Sequence, residues 1–355
     1  DVIFFLFGMF IIGQAMEDSG YLTHVCHILF GRAKSVDALV LAILFTMGIG
    51  SAVLMNDTLA IIGTPIMLLL ARRNYISPKL LLLCLAFAIT TGSVMSPIGN
   101  PQNLLIALGG NIGNPFLTFF QYLFAPTIVN LFMAYIVLKV LYKKEFHRTE
   151  LQPGIEDIRH VRLAKVARLS LVLVVCLILA KVALAVMNLF TPVPFDFKLT
   201  TIALIGCSPI LIYRFISKKK TYRFHILRRI DWFTLVFFAS MFVLMESVWR
   251  SGFFQHLLST FSLNMTGVLV IMILSVLVSQ LISNVPMVAL FLPLMLSAGA
   301  GAQELMALAA GSTIAGNLFI LGAASNIIII QHAEKENRGE SLSFLEFAKA
   351  GIPLT

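Results

Sequence analysis

The chain has 355 residues, of which 59% are hydrophobic and only 12% charged, whereas soluble domains carry roughly 25% charged residues. That composition belongs to a membrane protein, and apolar runs filling the chain exclude a signal peptide followed by a soluble domain. No GxSxG, GxGxxG or Walker A loop is present, so hydrolase chemistry and nucleotide-driven pumping lack local support, and an enzyme is not expected. The formal net charge of +9 is explained by membrane topology and needs no nucleic-acid partner.

In chain order, residues 2–16 form a first apolar run that crosses once. Runs near the ~20 residues of a membrane span follow at 36–55, 116–138, 169–190, 199–213, 232–249 and 263–282. The stretch VLMNDTLAIIGTPIMLLL (53–70) interrupts its run with Asn56, Asp57 and Thr58, and Pro65 strains a helix crossing it. The pattern predicts a re-entrant hairpin over 36–71 with its tip at 56–58, because the returning arm, 59–71, falls short of the ~17-residue minimum for a span. Segments 80–110 and 116–141 then cross once each. After the basic linker at 142–165 come crossings at 166–190, 198–216 and 232–249, a second hairpin at 263–299 with returning arm 287–299, and a crossing at 303–333. On this topology all but Lys181, Lys198 and Arg250 of the 26 Lys and Arg residues lie on or next to one side. The positive-inside rule makes that side cytoplasmic. Treating either hairpin as one long crossing would scatter the charges.

The chain also resembles itself. Phe5/Phe237, Met9/Met241, Phe10/Phe242, Ser19/Ser251, Gly20/Gly252 and His24/His256 align, then Asn56/Asn284, Pro65/Pro293 and Met67/Met295, then Thr90/Thr313, Gly99/Gly322, Asn103/Asn326 and Ile106/Ile329. Matches among apolar residues are cheap; the Asn, Gly, Pro and His pairs indicate a repeat. The topology runs the two units in opposite directions, the inverted-repeat plan of many secondary transporters, whose sites lie near the midplane. The expected fold is an all-α integral membrane protein with inverted repeats, each holding a re-entrant hairpin and a broken transmembrane helix. Residues 1–141 form the first repeat, 142–165 the cytoplasmic linker and 166–355 the second repeat. The helices at 166–190 and 198–216 lack partners before Asp1, and FLEFAKAGIPLT at the end resembles the start of a crossing, so both ends read as truncated.

Four polar breaks fall at membrane depth: MNDT (55–58), SPIGNPQN (96–103), SNVP (283–286) and ILGAASN (320–326). Non-helical backbone survives there only when buried in protein or lining a wet cavity. Each break precedes an apolar helix whose free N–H groups and positive dipole end suit an anion, and follows a helix whose free carbonyls suit a cation. The expected substrate and ion ligands are Asn56, Asp57, Thr58, Gly99, Asn100, Asn103, Ser283, Asn284, Gly322, Ser325 and Asn326, with Na+ near Asn56 and Asn284 or H+ as coupling ion. The bland alternative makes the asparagines helix caps and turn residues. Cys26, Cys84, Cys176 and Cys207 lie far apart and read as packing residues, and His24 and His27 lack a third ligand, so no other metal or cofactor is expected.

Paired Asn-bearing tips, each followed by a Gly- and Asn-containing break (GNPQN at 99–103, GAASN at 322–326), resemble the ion transporter superfamily of divalent anion/sodium symporters, citrate transporters, arsenite-efflux pumps and some sodium/proton antiporters. The resemblance covers nearly the whole chain. It implies scaffold and transport subdomains, elevator-type alternating access and a homodimer. The carboxylate branch has Ser-Asn-Thr at both tips, whereas this chain has Met55-Asn56-Asp57 and Ser283-Asn284-Val285. The Asn-Asp pair and AGNLFILGAASN look more like the arsenite-pump and citrate-transporter-like branches. The expectation is a multi-pass secondary transporter of the cell membrane, moving a small anion or oxyanion coupled to Na+ or H+. Alternatives are a cation/proton antiporter using Asp57 and an arsenite efflux permease. An ion channel is disfavoured, since no pore-lining ring of charges is evident.

Overall fold

The computed structural model describes residues 2–31, 33–147, 159–188, 197–216, 225–230, 232–252, 256, 267–336 and 342–355. All regular structure among them is helical. Five of these helices are long and apolar enough to cross a membrane: α1 (Val2–Ser19), α3 (Val36–Leu54), α7 (Pro115–Leu141), α9 (Val161–Met187, whose apolar stretch ends at Leu184) and α10 (Leu199–Ile216). Tyr21–Phe30 forms α2, Asn56–Asn74 α4, Pro78–Ser93 α5, Pro101–Gly109 α6 and Lys143–Phe146 α8. His225–Arg229 and Trp232–Arg250 form α11 and α12, and Val268–Ile282 and Asn284–Ser297 form α13 and α14. Ala302–Leu318, Ala324–Glu336 and Phe344–Gly351 form α15, α16 and α17. The chain is thus all-α and membrane-spanning, as its composition predicts.

Local chemistry sets the helix starts. Ser35 caps α3 by accepting the Ala38 N–H at 3.2 Å. Asn100 and Asn114 cap α6 and α7, each directly before a proline at the first helical position, where a missing N–H costs nothing. A capping box between Ser343 and Glu346 opens α17. One expectation changes. The returning arm α4 begins at Asn56 itself and runs unbroken through Pro65 to Asn74, 19 residues in all. Its length therefore does not distinguish a hairpin arm from a full crossing, whereas α14, with 14 residues, is as short as expected. Pro65 leaves the Ile61 carbonyl without its usual donor; one residue earlier the Thr64 hydroxyl donates to the Ala60 carbonyl at 2.7 Å, an added bond on the neighbouring carbonyl and not a replacement for the lost one.

The chain forms two compact units: residues 1–28 with 155–240, and 29–154 with 241–355. Within the first, α1 packs on α9 and α10. Asp18, at the end of α1, receives Arg214 of α10 at 2.9 Å and Arg229 of α11 at 2.8 Å, and both Asp18 and the Arg214 side chain are nearly fully buried. Sequence spacing places Asp18 only near the end of a crossing; its cationic partners are some two hundred residues away and carry no local signal.

The second unit contains all four polar breaks. Its centre is α5, buried along its whole length from Leu80 to Ser93 and packed against α3 and α4. The α3 and α5 backbones approach so closely at Gly48 and Gly92 that a Cβ on Gly92 would overlap the Gly48 backbone carbonyl. Small residues that bring backbones together are a main device of helix association in lipid. Gly92→Ala is expected to cost about 1–3 kcal/mol, the usual penalty of overpacking. Gly113→Ala, where nothing lies within 4 Å, serves as the neutral control, with detergent thermal unfolding as the readout.

Backbone features recur at the aligned positions. Met55 and Ser283, which end α3 and α13, have φ/ψ of 68°/143° and 69°/159°. Gly20 and Gly252 share φ values of 70° and 71°, and each carbonyl accepts the N–H of His24 or His256.

Candidate functional site

The two tips are built alike. Met55 and Ser283 hold conformations that non-glycine residues rarely adopt, at a cost of order 1–3 kcal/mol each. Neither supplies a side-chain cap to the helix it precedes, so the first-turn N–H groups of α4 and α14 lack that satisfaction. Asn56, Asp57 and Thr58 are buried in the first turn of α4, as is Asn284 in that of α14, while Ser283 is half-buried. Because α4 starts at Asn56, Asp57 lies inside the helix and not at its cap. Its N–H donates to Asn56 Oδ1 at 3.0 Å.

The breaks sit where the sequence places them. Between α5 and α6 the chain leaves helical geometry before Pro101, and between α15 and α16 only a short 3-10 turn, Ile320–Gly322, intervenes. Gly99 and Gly322 lie against the ends of the preceding helices. An added Cβ would collide with the Ser93 carbonyl in the first case, and would lie 2.7 Å from the Ala315 carbonyl and 3.0 Å from Gln280 Oε1 in the second. The first tip is joined to the first break by a main-chain bond, Asn56 N–H to the Gly99 carbonyl at 2.9 Å. The described residues show no counterpart at Asn284.

The asparagines divide by role. Asn100 is a cap, accepting the Asn103 N–H at 2.8 Å. Asn103 is instead a clasp: its amide donates to the carbonyls of Ser93, Val94 and Ser96 at 3.0–3.2 Å, satisfying the end of α5. Asn326 repeats this, donating to the Gly316 carbonyl at 2.7 Å, and Gly316 is the repeat partner of Ser93.

The halves differ in what completes them. In the first, the Thr313 hydroxyl donates to Asn103 Oδ1 at 3.3 Å and accepts from the amides of Asn100 (3.2 Å) and Gln102 (3.3 Å); Asn100 also donates to Ser93 Oγ at 3.0 Å. In the second, Asn326 Oδ1, Ser325 Oγ, Asn284 Oδ1 and the hydroxyl of Thr90, repeat partner of Thr313, are buried without a hydrogen-bond partner. Ser279 Oγ of α13 and Asn317 Oδ1 of α15 share that condition. Thr90 lies by this break, its methyl 3.2 Å from where a Cβ on Gly316 would be. Buried polar groups are nearly always bonded, and unpaired buried oxygens also occur away from the breaks, at Thr127, Ser170 and Thr200 among others; those at the second break are the ones that coincide with the expected site residues.

Sequence reasoning missed Ser93, Gln102, Thr313, Gln280 and Asn317. Thr313 was visible only as a repeat match to Thr90, and Asn317, which donates to Thr91 Oγ1 at 3.2 Å, had no signal. Among the described residues no group of three His, Cys, Asp or Glu could hold a metal. The side chains of Cys26 and His27 lie outside the described residues, as do 148–158 of the basic linker. Cys84 and Cys207 are buried, and Cys176 is exposed.

The family model described as citrate transporter (CitMHS) matches residues 1–305. The chain belongs to this family. Over its full length it is 26% identical to a 46 kDa membrane protein of Mycobacterium leprae, covering 83% of that protein. It is 24% identical to the silicon efflux transporter LSI3 of Oryza sativa subsp. japonica (99% of this chain, 83% of the relative) and 23% identical to the putative transporter arsB of Dictyostelium discoideum (100% and 80%). The crystal structure of the Alcanivorax borkumensis YdaH transporter superposes with a TM-score of 0.61, covering 99% of this chain and 80% of that one at 13% identity, which shows a shared fold. This citrate transporter family member is a multi-pass membrane transporter and not an enzyme.

Proposed function

We propose that the protein is a secondary active transporter of a small anion or oxyanion, coupled to Na+ or H+, with inverted repeats 1–141 and 166–355 around the cytoplasmic linker 142–165. The observation that carries this reading is the gathering, in one compact unit, of two strained tips and two clasped breaks with unpaired oxygens at the second. The positive end of α14, which no side chain caps, would hold the anion, with the remaining first-turn N–H groups of α4 beside it, since the Asn56 and Asp57 N–H groups are taken by the Gly99 carbonyl and Asn56 Oδ1. Asn284 Oδ1, Ser325 Oγ, Asn326 Oδ1 and Thr90 Oγ1 are neutral oxygen donors of the kind a hard cation takes. They would hold Na+, which supplies charge balance for the anion. With all four breaks in the unit 29–154/241–355, movement of that unit as a body carries a complete site across the bilayer, an elevator. The homodimer is carried over from the family resemblance.

The family is described as citrate transporter and one relative as a silicon efflux transporter. An arsenite efflux permease is a second reading, supported by the likeness to the putative transporter arsB. A cation/proton antiporter is another, favoured by the burial of Asp57. The purified chain in proteoliposomes should show counterflow of one of citrate, arsenite or silicate, and net uptake that follows an imposed Na+ or proton gradient. Conduction without counterflow would make it a channel and end the proposal. Gradient-driven cation exchange without anion movement would select the antiporter.

A further inference from the structure

Beyond the end of α7 lies an open cleft of about 630 Å3 that has no part in this machinery. Ser77, Tyr142, Lys143, Lys144, Glu145 and His147 line it, with Leu141 at its apolar edge. Its position is set by α7, whose last apolar residues, Val140 and Leu141, are 71% and 46% exposed. The helix surface turns from lipid-compatible to basic within one turn, as at the boundary between hydrocarbon and headgroups.

The charges here are of two kinds. Lys139 is paired with Asp37 and Lys79 with Glu346, each at 2.6 Å. Among the described residues neither Lys143 nor Lys144 is in an ion pair, and both are exposed, as is His147. The one carboxylate in the lining, Glu145, is half-buried and makes an interaction of its own, although its Oε2 is buried without a hydrogen bond among the described residues. Burial pushes the Tyr142 hydroxyl up to about 12, with Glu346 and Glu145 adding to the shift, so it stays protonated and able to donate. Two exposed ammonium groups beside two hydroxyls suit the oxygens of a phosphate, and the exposed Val140 and Leu141 suit acyl chains beside it.

We propose that this cleft binds a phosphate group, and that anionic phospholipid headgroups of the adjoining leaflet supply it. Basic pockets at the ends of transmembrane helices take such headgroups by the same electrostatics.

The test uses the full chain in nanodiscs of phosphatidylcholine doped with phosphatidylglycerol, with retained lipid counted by native mass spectrometry. Wild type should retain phosphatidylglycerol selectively. Lys143→Gln/Lys144→Gln should weaken retention roughly thirty-fold, about 1 kcal/mol for each charge, and Lys143→Arg/Lys144→Arg should keep it. Both positions are exposed, so the variants are expected to fold, which size-exclusion chromatography checks. A second arm titrates inorganic phosphate. Weak phosphate binding beside strong lipid retention supports the lipid source. Phosphate binding as tight as the lipid's, and lost in the glutamine variant, would overturn the lipid source while keeping the phosphate site. Retention of phosphatidylglycerol by the glutamine variant at the wild-type level would overturn the proposal.

Discussion

Asp57→Asn is expected to reduce gradient-driven accumulation to the level of empty vesicles, while the protein still folds and still exchanges substrate. Asp57 is buried, 7% exposed, in the first turn of α4. Ionisable residues at membrane depth are costly and are functional by default. The bland role, a cap worth ~1 kcal/mol, loses ground because the helix starts one residue earlier and Asp57 is already inside it. An ionised Asp57 and a bound anion compete for the same positive helix end, so neutralising the carboxylate by a proton or cation can precede translocation. Asparagine keeps the shape and removes the charge. Internal and external substrate are compared at steady state over a range of pH; accumulation that survives with its pH dependence intact would leave Asp57 without a coupling role.

The second large effect separates ligands from structural polar groups. Ser325→Ala and Asn284→Ala each remove a buried oxygen without a protein partner, so stability should hold or rise. Transport should nevertheless fall at least tenfold, the consequence of losing ~1.4 kcal/mol or more of binding. Asn103→Ala should do the reverse at first: it strips three carbonyls of a shared donor and costs about 1–3 kcal/mol of stability. Thermal unfolding measured beside uptake distinguishes the two patterns. If the Ser325 and Asn284 variants transport like wild type, the unpaired oxygens are not ligands and the cation site is misplaced.

Much of the fold was legible because its signals are local. The apolar runs at 2–16, 116–138, 169–190 and 199–213 each overlap a helix long and apolar enough to span, whereas α12 at the expected crossing 232–249 is not among those helices and α3, expected as a hairpin arm, is. Asn-Pro, Gly and the recurrent Asn marked the breaks. Two kinds of information were hidden. The bonding of Thr313 to Asn100, Gln102 and Asn103 joins residues some 210 apart, and nothing in the neighbourhood of Thr313 announces it. The other is whether a rule of local structure is overridden: Pro65 strains a helix crossing it, yet α4 continues through it, since the cost of a proline depends on what surrounds it. The same holds for Asn103 against Asn100. Both occur in one NPQN string, and only tertiary structure makes one a cap and the other a clasp.

The bond from the Asn56 N–H to the Gly99 carbonyl is made by main chain alone. A change of side chain at position 56 or 57 can alter what the first tip recognises and still leave that bond in place, because every residue except proline brings the same donor. The tie between this tip and its break is thus independent of the side chains at 56 and 57. In the second half the described residues show no such main-chain bond, and the break is held by side chains, the Asn326 amide on the Gly316 carbonyl and the Gln280 amide on the Ala315 carbonyl, so a substitution at either touches the architecture directly. Diversification within such a scaffold is easier at the first tip, and mutational scans should find tolerance distributed unequally between two positions that the sequence presents as twins.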